Sequence, residues 1–338
     1  MTGVPAPDLT HLRRLTDAGG LFEHARYATP RREHGYCVDD VARGLVVLHR
    51  GPADAPDLRA LYLAFVLDAQ CADGRFRNRR AADLRWHGPP SVDDCWGRAL
   101  WGLGAAAADA RALAAFDAGA RWRSPSPRAM AFAALGAAEV LAAHPQHRGA
   151  RDLLAAAAAA IGRPGARPDW PWPEPRLAYA NAVLPEALLA AGVALDAPQL
   201  VADGLALLGW LLDLQTRDGH LSVVPVGGWG PGERGPGFDQ QPIEAAALAD
   251  ACARAHAATG ADRWRHGVAM AAGWFLGAND TGTALLAPGG GCADGLTAAG
   301  RNENRGAEST LALVSTLQRA REVGPDPLVD AVALAGTG

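Results

Sequence analysis

The chain has 338 residues, of which 49% are hydrophobic and 20% are charged, and its formal net charge is −4. This composition is typical of a water-soluble globular protein with a large core, and the length suits one closed toroidal or barrel domain covering 1–338. The acidic balance and the absence of basic blocks argue against a nucleic-acid partner, because phosphate binding needs a concentrated cationic surface.

The apolar stretches of the chain are short. The longest, such as 153–161, fall below the roughly 20 strongly apolar residues that a bilayer span needs, so no membrane association is expected. The N-terminus lacks a basic segment followed by an apolar core, so we expect no secretory signal and predict a cytoplasmic location. The five cysteines are odd in number and lack CxxC spacing, which predicts buried thiols and no metal site.

Helix signals come in pairs along the chain, and a polar cluster opens the first helix of each pair. Ser126-Pro127, for example, is a capping serine before a first-turn proline. The predicted pairs in chain order are 35–49 with 58–69, 91–103 with 111–120, 128–142 with 151–161, 184–194 with 199–214, 245–257 with 262–275, and a last helix at 306–321.

Alternate helices in this series are apolar nearly all round, as 131–138 illustrates. A helix of that kind is buried on more than one side. Five or six hairpins with a polar loop before every other helix therefore predict an all-α fold, an (α/α)6 toroid with short extended segments in the loops. In this fold an inner ring of helices is covered by outer helices, and the loops before the inner helices form the active face.

At this level the chain resembles the six-hairpin glycosidase superfamily. The segment 93–101 is similar to a Trp-x-Arg-Gly-x-x-Trp signature of unsaturated glucuronyl hydrolases, although Gly97 follows Trp96 directly instead of following Arg98. The segments 290–296 and 302–311 are similar to a poorly characterised bacterial set associated with glycosyltransferases. The resemblance implies a glycosidase with a carbohydrate substrate and a possible functional link to a glycosyltransferase.

Hydrolysis of a glycosidic bond needs one carboxylic acid to protonate the leaving oxygen and one carboxylate to activate water or attack carbon. The chain offers acidic residues in nearly every polar cluster. The candidate catalytic residues are Asp40, Asp94, Asp239, Glu303 and Glu308. We expect one carboxylate from the region of Asp40 and Asp94 to face one of the other three.

Helical spacing adds two arginines to these clusters. Arg43 follows Asp40 by three residues and Arg98 follows Asp94 by four, and both spacings bring the charges together on a helix. Asp39 and Asp93 precede them and can either cap their helices or contact substrate.

Sugar binding needs flat apolar surfaces and planar hydrogen-bonding groups, and the chain holds ten tryptophans. Each of these side chains has an alternative structural role, as a cap or as part of the core. The candidate substrate-binding residues are His34, Tyr36, Asp39, Arg43, Trp86, Asp93, Trp96, Arg98, Asn181, Trp229, Gln241 and Asn304.

Two other functions fit the same pattern. A sugar epimerase of the N-acylglucosamine epimerase type would use histidines for proton abstraction, and His34, His87 and His220 could serve. A non-catalytic glycan-binding module would show binding without turnover. No cofactor is expected, since the glycines do not form a phosphate loop or a Rossmann fingerprint.

Overall fold

The computed structural model describes residues 4–51 and 55–324, and within these ranges the fold is built from helices. Their bounds are α1 Thr10–Arg14, α2 Val38–Arg50, α3 Pro56–Ala69, α4 Asp94–Ala105, α5 Ala110–Gly119, α6 Pro127–Ala143, α7 Arg148–Ile161, α8 Val183–Ala194, α9 Pro198–Gln215, α10 Pro242–Thr259, α11 Asp262–Leu276 and α12 Ala307–Val323.

The even-numbered helices form an inner ring. Each of α2, α4, α6, α8, α10 and α12 packs on the next, and α12 closes the ring against α2. Helices α3, α5, α7, α9 and α11 each cover one of the first five inner helices from outside, and the short α1 lies against α12. The predicted (α/α)6 toroid is therefore confirmed.

The inner helices are buried because each touches neighbours on both sides and an outer helix behind. In α6 nearly every residue from Arg128 to Ala137 is buried, which explains the apolar run in the sequence. Close helix approach accompanies this packing. A Cβ added at Gly136 would lie 2.2 Å from the carbonyl oxygen of Leu100 on α4. Because Gly136 has no side chain, the backbones of α4 and α6 can come into contact here.

Several helices begin as the sequence predicts. The Ser126 side chain accepts a hydrogen bond from the backbone N–H of Ala129 at 3.3 Å, and Pro127 occupies the first turn of α6. Helix α4 starts at Asp94, within the predicted range. Helix α10 starts at Pro242, three residues earlier than predicted.

Short strands occupy the loops. Antiparallel pairs join β1 Thr16–Asp17 to β2 Gly20–Leu21, β3 Ala25–Arg26 to β4 Thr29–Pro30, β5 Tyr36–Cys37 to β6 Arg79–Arg80, β6 to β7 Trp86–His87, β8 Thr216–Arg217 to β9 His220–Leu221, and β10 Gly295–Thr297 to β11 Gly300–Asn302. Strand β5 leads into α2, and the β10–β11 hairpin precedes α12. These loops place polar side chains at the same end of the inner ring.

The described residues share a single hydrophobic core. Four of the five cysteines are buried free thiols, as predicted, and three of these four lie in this core. Among the described residues, none of the helices combines the length and the apolar character that a membrane span requires. The extent of the domain over 1–338 and the cytoplasmic location stay predictions.

Candidate active site

A cavity of about 270 Å³ opens where α2, α4, α10 and α12 begin. Titratable side chains dominate its wall. Its carboxyl groups belong to Glu23, Asp39, Asp40, Asp294 and Glu308, and its guanidinium groups belong to Arg43, Arg79 and Arg98. Helix starts converge here because all six inner helices run through one ring, so residues far apart in sequence meet at its end.

Arg43 joins two of the predicted catalytic carboxyls. Its Nη2 lies 2.5 Å from Oδ1 of Asp40, one turn earlier on α2, and its Nη1 donates to Oε2 of Glu308 on α12 at 2.9 Å. The Asp40 side chain is 3% exposed, whereas that of Glu308 is 40% exposed. One guanidinium thus contacts both acids, of which Asp40 is buried and Glu308 is partly exposed.

The surroundings shift the pKa values of these two acids in opposite directions. Burial raises the pKa of Asp40 to about 7, against the opposing effect of the Arg43 charge. Burial also disfavours the Glu308 carboxylate, but the guanidinium groups of Arg43 and Arg98 outweigh it and lower its pKa. Near neutral pH one acid can therefore hold a proton while the other is ionised. Such a split is how two carboxyls take acid and base roles.

Asp39 occupies the cavity wall beside Asp40. Its Oδ2 accepts a hydrogen bond from Nδ2 of Asn78 at 2.8 Å and lies 3.4 Å from Sγ of Cys37. Its Oδ1 has no hydrogen-bond partner among the described residues and lies 3.6 Å from Nη1 of Arg98. One carboxylate oxygen is thus fixed by a hydrogen bond, and the other is buried beside the charge of Arg98.

Asp94 reaches the same arginine from α4. Arg98 Nη2 lies 3.8 Å from Oδ2 of Asp94, and the hydroxyl of Tyr179 donates to that oxygen at 2.7 Å. Burial, followed by the Asp94 charge, raises the pKa of Tyr179, so its hydroxyl stays protonated. Arg98 therefore links Asp39 on α2 with Asp94 on α4.

Sequence reasoning missed several cavity residues, among them Glu23, His24, Arg79 and Asp294. Oδ1 of Asp294 accepts hydrogen bonds from the backbone N–H of Gly306 at 2.6 Å and from the Ser309 hydroxyl at 2.5 Å, which fixes the start of α12. Glu23 pairs with Arg79. Nε2 of His24 lies 3.7 Å from the carboxylate of Glu23. The adjacent acid and histidine at 23–24 are the sequence signal from which two of these cavity residues could have been predicted.

Three predicted catalytic acids, Asp94, Asp239 and Glu303, do not line the cavity. Asp94 contacts it only through Arg98. Glu303 is 47% exposed and pairs with Arg301 at 2.9 Å, and Asp239 is also exposed. The expectation that Asp239 or Glu303 faces Asp40 is corrected, because the loops before α10 and α12 leave these side chains at the surface and Glu308 contacts Arg43 beside Asp40.

Three predicted substrate contacts belong to the core instead. Trp96 is fully buried and donates from Nε1 to the carbonyl of Gly119 at 3.0 Å. Trp229 is buried as well, and Tyr36 is buried with its hydroxyl donating to Asp17 at 2.8 Å. These predictions are corrected, because rings packed inside the core have no face left for a sugar.

Asn181 and Trp86 are also held by protein partners. Asn181 is buried between Arg128, which donates to its Oδ1 at 3.1 Å, and Glu244, which accepts from its Nδ2 at 2.9 Å. Trp86 donates from Nε1 to Asp68 at 3.0 Å. Neither residue lines the cavity, so their predicted sugar contacts are corrected as well.

The remaining predicted contacts lie at or near the cavity rim. Gln241 lines the cavity. His34 is exposed, with its ring edge-on to His24 at 5.1 Å between centroids. Oδ1 of Asn304 accepts a hydrogen bond from the backbone N–H of Tyr27 at 3.0 Å. Asp93 is exposed and directly precedes α4. Only Gln241 of these four contributes directly to the cavity wall.

One group of side chains could offer metal ligands. One ligand atom each from Glu23, Cys37 and Asp40 lies within 4.8 Å of the others. Arg79 already pairs with Glu23, and Arg43 with Asp40. A cation would compete with both arginines for these carboxyls, so the donor set fits a metal poorly and the prediction of no metal is retained.

No protein-family model matches the sequence, and no curated protein sequence matches it either. Solved structures do match in three dimensions. A sugar epimerase from a ruminal bacterium has a TM-score of 0.71 at 13% identity, covering 96% of this chain and 97% of its own. A D-mannose isomerase has a TM-score of 0.70 at 10% identity, covering 93% and 94%.

A glycosidase matches as well. It is an inactive variant of an α-1,6-mannanase from Salegentibacter sp., with two consecutive aspartates changed to asparagine, in complex with α-1,6-mannotriose. Its TM-score is 0.61 at 10% identity, and the match covers 93% of this chain and 97% of that one. Likeness at this level of identity concerns the fold. The chain shares the (α/α)6 toroid fold with these structures.

Proposed function

We propose that the chain is a glycoside hydrolase acting on an oligosaccharide or glycoconjugate, with Asp40 as general acid and Glu308 as the second carboxylate. One observation carries the proposal. Arg43 holds both acids at one cavity, with the pKa of Asp40 raised to about 7 and that of Glu308 lowered. A glycosidase needs one protonated and one ionised carboxyl across the scissile bond.

The chemistry follows from these two states. Protonated Asp40 gives its proton to the glycosidic oxygen as the bond from that oxygen to the anomeric carbon breaks. Ionised Glu308 either takes a proton from a water that attacks the anomeric carbon or attacks that carbon itself, and water then releases the sugar. Each cycle consumes one water and returns both carboxyls to their starting states. Arg43 favours the ionised form of Glu308 at the start of each cycle.

Asp39 supports the reaction from the same helix. It and Asp40 are consecutive, and both line the cavity. The mannanase that shares the fold is inactive when two consecutive aspartates are replaced, which supports a catalytic role for an aspartate pair here. Oδ1 of Asp39 is buried 3.6 Å from Nη1 of Arg98, and this contact helps to hold the wall of the cavity. On α4, Asp94 forms an ion pair with the same Arg98.

The charge of the cavity favours an uncharged sugar. Five carboxyl groups and three guanidinium groups line it, and all three of those arginines are held in ion pairs. A sugar carboxylate would therefore meet surplus negative charge, and like charges brought together weaken binding. We therefore expect neutral glycans to be preferred to the uronates that glucuronyl hydrolases take.

A sugar epimerase is the second candidate, and His24 favours it. This histidine lines the cavity beside Glu23, and epimerase and isomerase structures share the fold. The other histidines considered for that role are placed less well. His220 Nε2 contacts Asp280 at 3.1 Å, and His87 is exposed. A glycan-binding module without turnover is the remaining alternative, and the link to a glycosyltransferase stays a prediction.

Four single variants separate these functions on a panel of neutral oligosaccharides. The hydrolase predicts that Asp40→Asn and Glu308→Gln each lower kcat/KM by about a hundredfold or more, as measured from released sugars by mass spectrometry. Glu303→Gln is the matched control, because Glu303 pairs with Arg301 outside the cavity, and its activity should stay within about twofold.

If His24→Ala keeps most of the turnover, the epimerase is rejected. Loss of turnover in His24→Ala together with retained turnover in Asp40→Asn would reject the hydrolase. Tight sugar binding by the wild type without any product would reject both enzymes and favour the glycan-binding module. Circular dichroism of each variant checks that it is folded.

A further inference from the structure

An exposed tyrosine lies beside the candidate active site. Tyr179 is 40% exposed and belongs to the loop between α7 and α8. Its hydroxyl donates to Oδ2 of Asp94, the first residue of α4, and that oxygen lies 3.8 Å from Nη2 of Arg98 in the cavity wall. The ring is therefore two side-chain contacts away from the cavity, at the end of the toroid where the inner helices begin.

Side chains of the inner helices fix the backbone of this loop. Nε of Arg128, the second residue of α6, donates to the carbonyl oxygen of Tyr179 at 2.7 Å. Glu244 on α10 accepts hydrogen bonds from the backbone N–H of Ala180 and from Nδ2 of Asn181. Tyr179 is thus anchored through its own carbonyl and through the two residues that follow it, although its ring is open to solvent.

One face of the Tyr179 ring is covered by a guanidinium group. The guanidinium carbon of Arg128 lies over the ring, 5.0 Å from its centroid, and this arginine is itself buried. Arg128 also pairs with Glu174 at 2.5 Å, which holds the guanidinium in place behind the ring. Because one face is occupied, the exposed area of the ring belongs to its opposite face and its edge.

The fixed position of this ring distinguishes it from an ordinary surface aromatic residue. Single exposed apolar side chains are common on proteins and indicate nothing by themselves. Tyr179, however, is already held by contacts at its backbone, its hydroxyl and one ring face. A ligand that packs on the open face therefore does not have to order the side chain first, which lowers the entropic cost of binding.

We propose that Tyr179 forms a sugar-binding subsite next to the candidate active site, where one pyranose ring of a neutral oligosaccharide stacks on the open face of the tyrosine. The partly exposed carboxylate of Asp94 borders this subsite and can accept a hydrogen bond from a sugar hydroxyl. The inference rests on the proposed function, because it takes the cavity as the place where the glycan is bound. It adds that the preferred substrates extend beyond the sugar held in the cavity.

Calorimetric titration with neutral oligosaccharides of one to four sugar units tests the subsite. All proteins in this test are full-length and carry Asp40→Asn, so that hydrolysis does not consume the glycan. We expect affinity to increase with length. Adding Tyr179→Ala should reduce that increase by about threefold to tenfold, because the stacking contact is lost. Adding Tyr179→Phe should preserve it, because the ring remains.

Trp122→Ala is the matched control. The Trp122 ring is 37% exposed and the guanidinium carbon of Arg75 lies 5.2 Å from its centroid, but its hydrogen-bond partner Asp73 does not line the cavity. This change should leave the increase with length unaltered. An equal reduction by Trp122→Ala and Tyr179→Ala, or affinity that does not increase with length, would overturn the proposal.

The Tyr179→Phe protein separates stacking from a positioning role. If Tyr179 acts only by holding Asp94 through its hydroxyl, Tyr179→Phe should weaken binding as much as Tyr179→Ala, and equally at every length. That result would also overturn the subsite. Circular dichroism checks that each variant is folded.

Crystals of the Asp40→Asn protein soaked in the tetrasaccharide provide a measurement that leaves Tyr179 unchanged. A sugar ring parallel to the tyrosine supports the subsite, whereas a glycan bound in the cavity with Tyr179 uncovered contradicts it.

Hydrolysis of the same oligosaccharides by the protein with Asp40 intact tests the proposed function separately. A length dependence that Tyr179→Ala removes, without any released sugar, would support the subsite and reject the hydrolase. Released sugar with a length dependence that Tyr179→Ala leaves intact would reject the subsite alone.

Discussion

At the scale of single residues, the proposed chemistry depends on the different environments of two acids. Both carboxyls line the cavity, and burial disfavours the ionised form of each. The charges of Arg43 and Arg98 outweigh burial only at Glu308, so the pKa of Asp40 is raised and that of Glu308 is lowered. Neither residue type is unusual in isolation. Their placement around Arg43 is what makes them an acid and a base.

This division predicts a pH profile. Asp40 must be protonated to act, so kcat/KM should fall as pH rises through about 7, the pKa of that carboxyl. Glu308 must be ionised, and since its pKa is lowered, the acidic limb should lie below the roughly 4.3 that is ordinary for a glutamate. The residual activity of Asp40→Asn should lose the alkaline limb. An alkaline limb unchanged in this variant would assign that pKa to another group.

Sequence spacing predicted part of this cluster. Asp40 with Arg43 and Asp94 with Arg98 are close because helix geometry brings such spacings together, and both contacts exist. The link from Arg43 to Glu308 spans the whole chain and depends on ring closure, which local patterns do not encode. Trp96 lies two residues after Asp94, so the two side chains point to opposite faces of the helix. The sequence spacing alone could therefore have predicted that Trp96 is turned away from the site.

At the scale of helices, glycines control how closely the inner ring can pack. Gly136→Ala should lower the free energy of unfolding by about 1–3 kcal/mol, because the added Cβ would lie 2.2 Å from the carbonyl oxygen of Leu100. Urea denaturation measures the change.

Gly209→Ala on α9 is the matched comparison. Its added Cβ would meet only the Arg263 side chain, at 3.6 Å, so the gain in helix propensity should raise the free energy of unfolding by about 0.5–1 kcal/mol. Equal effects of the two substitutions would show that close approach of α4 and α6 does not limit packing in the ring.

Helix pairs were predictable because apolar periodicity and caps are local signals. The Ser126-Pro127 start is one case, and the buried run in α6 is another. The sequence predicted short extended segments in the loops but not which of them pair, since strands of two or three residues leave little pattern in sequence. Strand β5 matters all the same, because it sets the entry of the chain into α2 just before Asp39 and Asp40.

At the scale of the whole molecule, the toroid brings six helix starts to one end, and the cavity there has surplus acid. This predicts substrate preference. A neutral oligosaccharide should be cleaved with kcat/KM at least about tenfold above that of the same glycan carrying a uronate at the cleaved position. Parallel assays of the two glycans by released reducing sugar measure the ratio. A preference for the uronate would contradict the role given to the acidic wall.

The fold alone is shared by glycosidases and epimerases, so the reaction itself must be observed. The most direct measurement is proton NMR of the wild-type protein with neutral oligosaccharides in D₂O. A paired-carboxylate hydrolase predicts new reducing ends that appear first as one anomer, with hydrogen retained at C2. Deuterium entering C2 while the glycosidic linkage stays intact would contradict the account and identify an epimerase.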